Sequence, residues 1–158
     1  MIFGMSTILF VHVALSLVGI LAGVVAVYGL VVSRWFGKTT AVFLLTTAAT
    51  SATGYALPAD HLLPSHIVGA ISLVVHAIAM LALYSFHLVF KWRWIYVVRA
   101  VISLYLNVFV LVAQGFAKLP ALHALAPTQA EPPFAIAQGI VLVIFIVIGA
   151  VAAKRFRP

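Results

Sequence analysis

The sequence predicts an all-α fold. It reads as an integral membrane bundle of five transmembrane helices, N-terminus out and C-terminus in, forming one domain over residues 1–158. Three observations predict it. First, 66% of the residues are hydrophobic and 7% charged, with a mean hydropathy of +1.28. Soluble domains carry about 25% charged residues, so this chain cannot cover a water-facing surface. Second, apolar runs of about 18 residues or more read as membrane spans. Five can be drawn, at roughly 7–33, 39–57, 66–90, 95–117 and 134–153. Third, lysine and arginine recur beside alternate ends of those runs.

The first run has no basic segment before it and is far longer than the 7–15 apolar residues of a secretion signal, so it reads as a retained helix. The second is rich in hydroxyls, with Thr46, Thr47, Thr50, Ser51 and Thr53. Pro58 stops it, and Pro64-Ser65 can start the third. The fourth follows a short basic connection. Between the fourth and fifth lies "KLPALHALAPTQAEPPF", whose middle, Ala121 to Ala126, suits an interfacial helical turn. Pro132-Pro133 fits the first turn of the fifth helix, where a missing N–H costs nothing.

Basic side chains orient the bundle. Arg34 and Lys38 fall between the first two spans, Lys91 and Arg93 between the third and fourth, and Lys154, Arg155 and Arg157 after the fifth. Arg99 can snorkel to the same side. Only Lys118 falls on the other. The positive-inside rule then places the basic end in the cytoplasm, with Trp35, Trp92, Trp94 and Tyr96 as an aromatic belt beside it. The net charge of +7 is thus a topology signal with a secondary attraction to anionic lipid, and it gives no sign of nucleic acid.

Polar residues concentrate at the outer end. Both acids, Asp60 and Glu131, lie there, with His12, His61, His66 and His123 of the six histidines. Stepping 100° per residue aligns His12, Ser16, Gly19 and Gly23 on the first helix. It aligns Gly69, Ser72, His76, Met80 and His87 on the third, and Ser103, Asn107, Gln114 and Lys118 on the fourth. The fifth contributes Gln138. Polar groups in hydrocarbon need partners, so these stripes should face one another.

A cofactor- or ligand-binding pocket is then expected in the outer half, lined by His12, Ser16, His66, His76, Asn107, Gln114 and Gln138. A b-type haem on two facing imidazoles is one version. Zinc or copper on His12, Asp60, His61 and His66 is another. Asn107 should reach a hydroxyl of the second helix such as Thr50 or Ser51. The bland alternative is that the stripes only glue helices together, in a structural or accessory subunit whose outer loops dock a partner. A transporter or channel for a small neutral solute is a third reading. Gly19-xxx-Gly23 is a small-xxx-small pattern; it serves either packing within the chain or contact with a second copy or a partner membrane subunit.

Several chemistries are disfavoured. There is no cysteine, hence no disulfide, thiolate ligand or cysteine nucleophile. No acid lies within a span, so carboxylate proton relays have no support. Ser72 and His76 have the i, i+4 spacing of contact, but no oxyanion motif or orienting acid accompanies them.

The stretches "LLPSHIVGAISLVVHA", "WRWIYVVRAVISLYLNVFVLV" and "ALAPTQAEPPF" resemble a family of small bacterial multi-span inner-membrane proteins, over roughly residues 40–150. That resemblance implies a bacterial membrane location and no particular activity.

The charge pattern sets a first test. A reporter that works only in the cytoplasm should be active when fused after Arg157, and one that works only outside should be silent there. The opposite result rejects the orientation.

Overall fold

Small side chains decide how closely these helices approach. A computed structural model describes residues 6–57 and 64–157. Among them run α1 (Thr7–Val31), α2 (Gly37–Tyr55), α3 (Pro64–Met80), a π-helical turn (Leu81–Ser85), α4 (Lys91–Lys118), α5 (Pro120–His123) and α6 (Pro132–Arg155). No strand occurs among the described residues. Ser6 caps α1, its Oγ accepting the Leu9 N–H at 3.3 Å.

The helices α1 to α4 form a ring. Each packs on the next, and α1 also touches α4. Outside it, α6 lies against the seam of α4 and α1. The tightest approach is at Gly23. A Cβ there would stand 2.7 Å from Leu104 Cδ1 and 2.8 Å from the ring of Phe43, which is fully buried. Gly19 lies one turn away, where a Cβ would meet Thr46 and Thr47 at 3.1 and 3.3 Å. The Gly19/Gly23 face is therefore filled by α2 and α4 of the same chain, and it is not open to a second copy.

The packed core, around Phe43, Leu44, Ala79, Val97, Ala100 and Leu104, lies toward the end that carries the basic connections. Connections and the C-terminal residues meet at that end: Trp35 packs edge-on to Tyr96, Phe156 is fully buried, and the Arg93 guanidinium donates to the Phe156 carbonyl. Outward-facing side chains are overwhelmingly apolar, among them Leu21, Val24, Ile71, Val74, Ile140 and Val147. Among the described residues four helices are long and apolar enough to cross a membrane: Thr7–Val31, His66–Ser85, Lys91–Lys118 and Pro132–Arg155. A soluble protein would hide such surfaces, so they mark a bundle made for lipid.

The connection from α3 to α4 differs from the sequence expectation of unbroken helix to residue 90. Regular hydrogen bonding ends at Met80, the π-turn follows, and His87, Leu88 and Phe90 take positive φ of 45°, 59° and 49°. Such backbone is costly for side chains other than glycine. It is held by the Leu88 N–H on Ala82 O at 3.1 Å and by face-to-face stacking of Phe86 on Trp92, 3.8 Å between centroids. In consequence α4 starts at Lys91 and carries Trp92, Arg93 and Trp94 on its first turn.

Glycine substitutions test the packing. Gly23→Leu should overpack the α1–α2–α4 contact and cost at least about 1–3 kcal/mol in denaturant unfolding. Gly139→Ala, with nothing within 4 Å of the added Cβ, should match or slightly exceed wild type, since alanine gains about 1 kcal/mol of helix propensity. Equal behaviour of the two variants would contradict the ring.

Candidate functional site

At the end opposite the packed core, α1 to α4 separate around a cavity of about 320 Å³. That lies within the range of small-molecule pockets, about 300–1,000 Å³. Its walls are mostly aliphatic: Val13, Leu17 and Ile20 from α1, Val68 from α3, and Leu106, Val110 and Leu111 from α4. Polar groups stud these walls. They come as His12 and Ser16 from α1, Thr50, Ser51 and Tyr55 from α2, His66 and Ser72 from α3, and Asn107, Gln114 and Lys118 from α4.

Each polar group is placed by its helix and then by a hydrogen bond. Asn107 Nδ2 donates to Thr47 Oγ1 at 3.0 Å; the partner is a hydroxyl of α2, one turn inward from Thr50 and Ser51. Ser51 donates to Ser72 at 3.3 Å, joining α2 to α3. Ser16 bonds back to the carbonyl of His12 at 2.9 Å. The Thr53 hydroxyl donates within α2 to Ala49 O at 2.8 Å, so at 3.1 Å it accepts from His12 Nδ1. That assigns the ring proton to Nδ1 and leaves Nε2 as its acceptor. At the rim, the Tyr55 hydroxyl donates to the His66 carbonyl at 2.6 Å, and its ring stacks on the His66 ring, 5.5 Å between centroids.

One wall group is left over. The Thr50 side chain is only 9% exposed and its Oγ1 has no partner among the described residues. A buried hydroxyl without a partner costs about 1–3 kcal/mol, and in a cavity wall it is available to an occupant.

Five of the expected lining residues, His12, Ser16, His66, Asn107 and Gln114, do line this cavity. The structure places the other two elsewhere. His76 is 2% exposed and belongs to the core. Its Nε2 donates to Leu44 O at 2.7 Å, and its Nδ1 accepts from Ser103 Oγ at 3.2 Å. With both nitrogens engaged, the ring clamps α2, α3 and α4 together, and Ser72 bonds to Ser51 instead of His76. Gln138 sits on α6, outside the ring, with Nε2 donating to Phe109 O at 3.0 Å and Oε1 unpartnered among the described residues.

The Pro-rich connection before α6 does not cover the cavity. Gln129 ties it to Ala113 O of α4, and Glu131 turns back on Thr128, accepting from its N–H at 3.2 Å and its hydroxyl at 2.8 Å. Burial opposes ionisation of Glu131, but the bonds from Thr128 prevail and hold its carboxyl below the usual range.

For a metal, the described residues bring no three His, Cys, Asp or Glu side chains together. Asp60 and His61 of the expected set lie outside the described residues. For haem, the only imidazoles among the cavity-lining residues are His12 and His66; the first is turned to Thr53 and the second is stacked on Tyr55. Neither geometry presents a pair of axial ligands. Sequence reasoning missed Tyr55 as part of the site, although an aromatic at the outer end of an apolar helix is an interfacial signal. Compared with protein-family models, curated proteins and solved structures, the chain matches none.

Removing the His76 clamp separates a core role from a pocket role. His76→Ala strands the Leu44 carbonyl and Ser103 and should cost about 2–5 kcal/mol. His87→Ala, in an exposed turn, should stay within about 0.5 kcal/mol. Comparable losses in the two variants would refute the assignment.

Proposed function

We propose that this chain is a small bacterial inner-membrane protein that binds a small amphiphile in the cavity between α1 and α4, from the extracytoplasmic side. The cavity itself carries the reading. A bundle packed against Gly23, Phe43 and Leu104 at one end opens at the other into a space with aliphatic walls and a sparse set of polar groups. That is the usual make-up of a small-molecule pocket. The unpartnered Thr50 hydroxyl and the Nε2 of His12 are the groups a ligand would satisfy.

Lys118 adds the sign. It is the one Lys or Arg at this end and has no ion pair among the described residues. An occupant with an anionic or hydrogen-bond-accepting head, placed toward Lys118, Gln114 and His66, and a short apolar body along Val13, Leu106 and Val110 fits the distribution. Among the described residues no catalytic constellation accompanies these groups, and the proposed role is binding.

The same reading takes α2 as a fifth span. Its 19 residues reach about 28 Å at 1.5 Å per residue, close to the hydrocarbon thickness of about 30 Å. Its hydroxyls lower its hydropathy without exposing unmet polarity, because Thr46 and Thr53 bond to carbonyls one turn back and Thr47 and Ser51 bond to neighbouring helices. Five spans put the basic end in the cytoplasm and the cavity outside, following the positive-inside rule.

The transporter reading has less support, because His76, Phe43 and Leu104 are buried in the packed core between the cavity and the basic end. The accessory-subunit reading is the outcome if no ligand is found.

Laurate, decylubiquinone and dodecylamine, three probes of different head charge, provide the test. Binding at a hundredfold excess over Kd adds about 2.7 kcal/mol of stability, visible as a raised unfolding temperature. Laurate or the quinone should stabilise wild type, the amine should not, and Ser16→Phe, which fills the cavity, should abolish the effect. If none of them shifts wild type, and solvent extraction of the purified protein yields no bound small molecule, the pocket reading fails.

A further inference from the structure

A second site lies on the opposite half of the molecule, on the outer surface where the end of α3 meets the start of α4. Ile78, Trp92, Trp94, Ile95, Val98 and Arg99 line a shallow groove there. Five of the six are apolar or aromatic, and the sixth is a cation. Arg99 is eight residues past Lys91, about 12 Å along α4 at 1.5 Å per residue. That is the position of its Cα; the side chain can snorkel part of the way back toward the basic end, and a guanidinium held in an apolar groove is still costly unless paired.

Arg99 has no hydrogen bond or ion pair among the described residues. Glu131 is at the far end of the bundle, and Asp60, the other acid, falls in the connection between α2 and α3. The neighbouring cation is already committed: Arg93 donates to the Phe156 carbonyl and stacks over the Trp94 ring, 4.6 Å from its centroid. Arg99 is thus a lone cation set into an apolar, tryptophan-edged groove that faces lipid.

We propose that this groove holds an anionic phospholipid, its phosphate on Arg99 and one acyl chain along Ile78, Ile95 and Val98. Arginine matches phosphate with two parallel N–H donors. The indole N–H of Trp94 is the natural second donor at the headgroup level. Charge selects the lipid: eight of the nine Lys and Arg residues belong to this end and no acidic side chain does among the described residues, so a zwitterionic headgroup would bring a second cation with no carboxylate side chain there to meet it. The groove is separate from the proposed ligand cavity, but it rests on the membrane reading of the bundle.

The test is native mass spectrometry of the full chain released from detergent, titrated with dioleoyl phosphatidylglycerol or dioleoyl phosphatidylcholine. Wild type should take a first phosphatidylglycerol about five- to tenfold more tightly than phosphatidylcholine, the scale of one interfacial basic residue. The preference should vanish in Arg99→Gln and persist in Lys91→Gln. A wild type without preference, or an Arg99→Gln variant that keeps it, overturns the proposal.

Should Arg99→Gln fail to fold, tryptophan quenching by brominated phosphatidylglycerol decides. It should exceed quenching by brominated phosphatidylcholine in wild type and lose that excess in Trp92→Phe/Trp94→Phe; equal quenching by the two lipids overturns the site. Flotation with vesicles of either lipid checks the membrane reading separately, since insertion does not depend on the groove.

Discussion

No water reaches the middle of a bilayer, so a polar side chain on a spanning helix must find its partner inside the protein. That constraint organises the whole bundle. Thr46 and Thr53 of α2, the helix proposed as the fifth span, answer it locally by bonding to carbonyls one turn back. His76 answers it across three helices at once, between Leu44 O and Ser103. Asn107 does so with Thr47, and Gln138 with Phe109 O. Where the requirement goes unmet, the molecule has a place for something else. Thr50 in the wall of the cavity and Arg99 in the surface groove are two such points, and they lie in opposite halves.

The two halves differ because their side chains differ in size and polarity. Toward the basic end, Gly23, Ala79, Ala82 and Ala100 let backbones close up around Phe43 and Leu104. Toward the other end the facing positions are Ser16, Ser51, Gly54, Gly69 and Ser72; Tyr55 closes on Gly69 and His12 on Gly54, but the space lined by Ser16, Ser51 and Ser72 stays open. Small residues bring helices together only where a large neighbour interdigitates. Without one, they leave room.

Much of this was legible in the sequence. The 100° stripes on α1 and α4 brought His12, Ser16, Asn107 and Gln114 to one place, because helical periodicity fixes which side chains share a face. The same stripe misled on α3. His76 shares a face with Ser72 but sits one turn deeper, where Phe43 and Leu104 have already closed the interior, and periodicity does not report that depth of packing. Gln138 failed for another reason: no pattern within α6 says that this helix lies outside the ring. The break at residues 86–90 carries no glycine or proline, so its cause, stacking of Phe86 on Trp92, is an interaction across the turn rather than a property of either segment. The Asp60-His61 part of the metal expectation falls outside the described residues.

The position of α6 has a consequence for how the protein is made. A ring in which α1 already meets α4 has all its members once α4 has left the ribosome. It can close, with the His76 clamp set and the cavity formed, while the following segments are still being synthesised. Helix α6 can then be added from outside, its Ala152 and Phe156 completing the core, and it is clasped at its end: Phe156 packs on Trp35, Arg157 meets Ser33, and Arg93 donates to the Phe156 carbonyl. The contact pattern thereby permits assembly in two stages, an inner ring first and a clasped outer helix second.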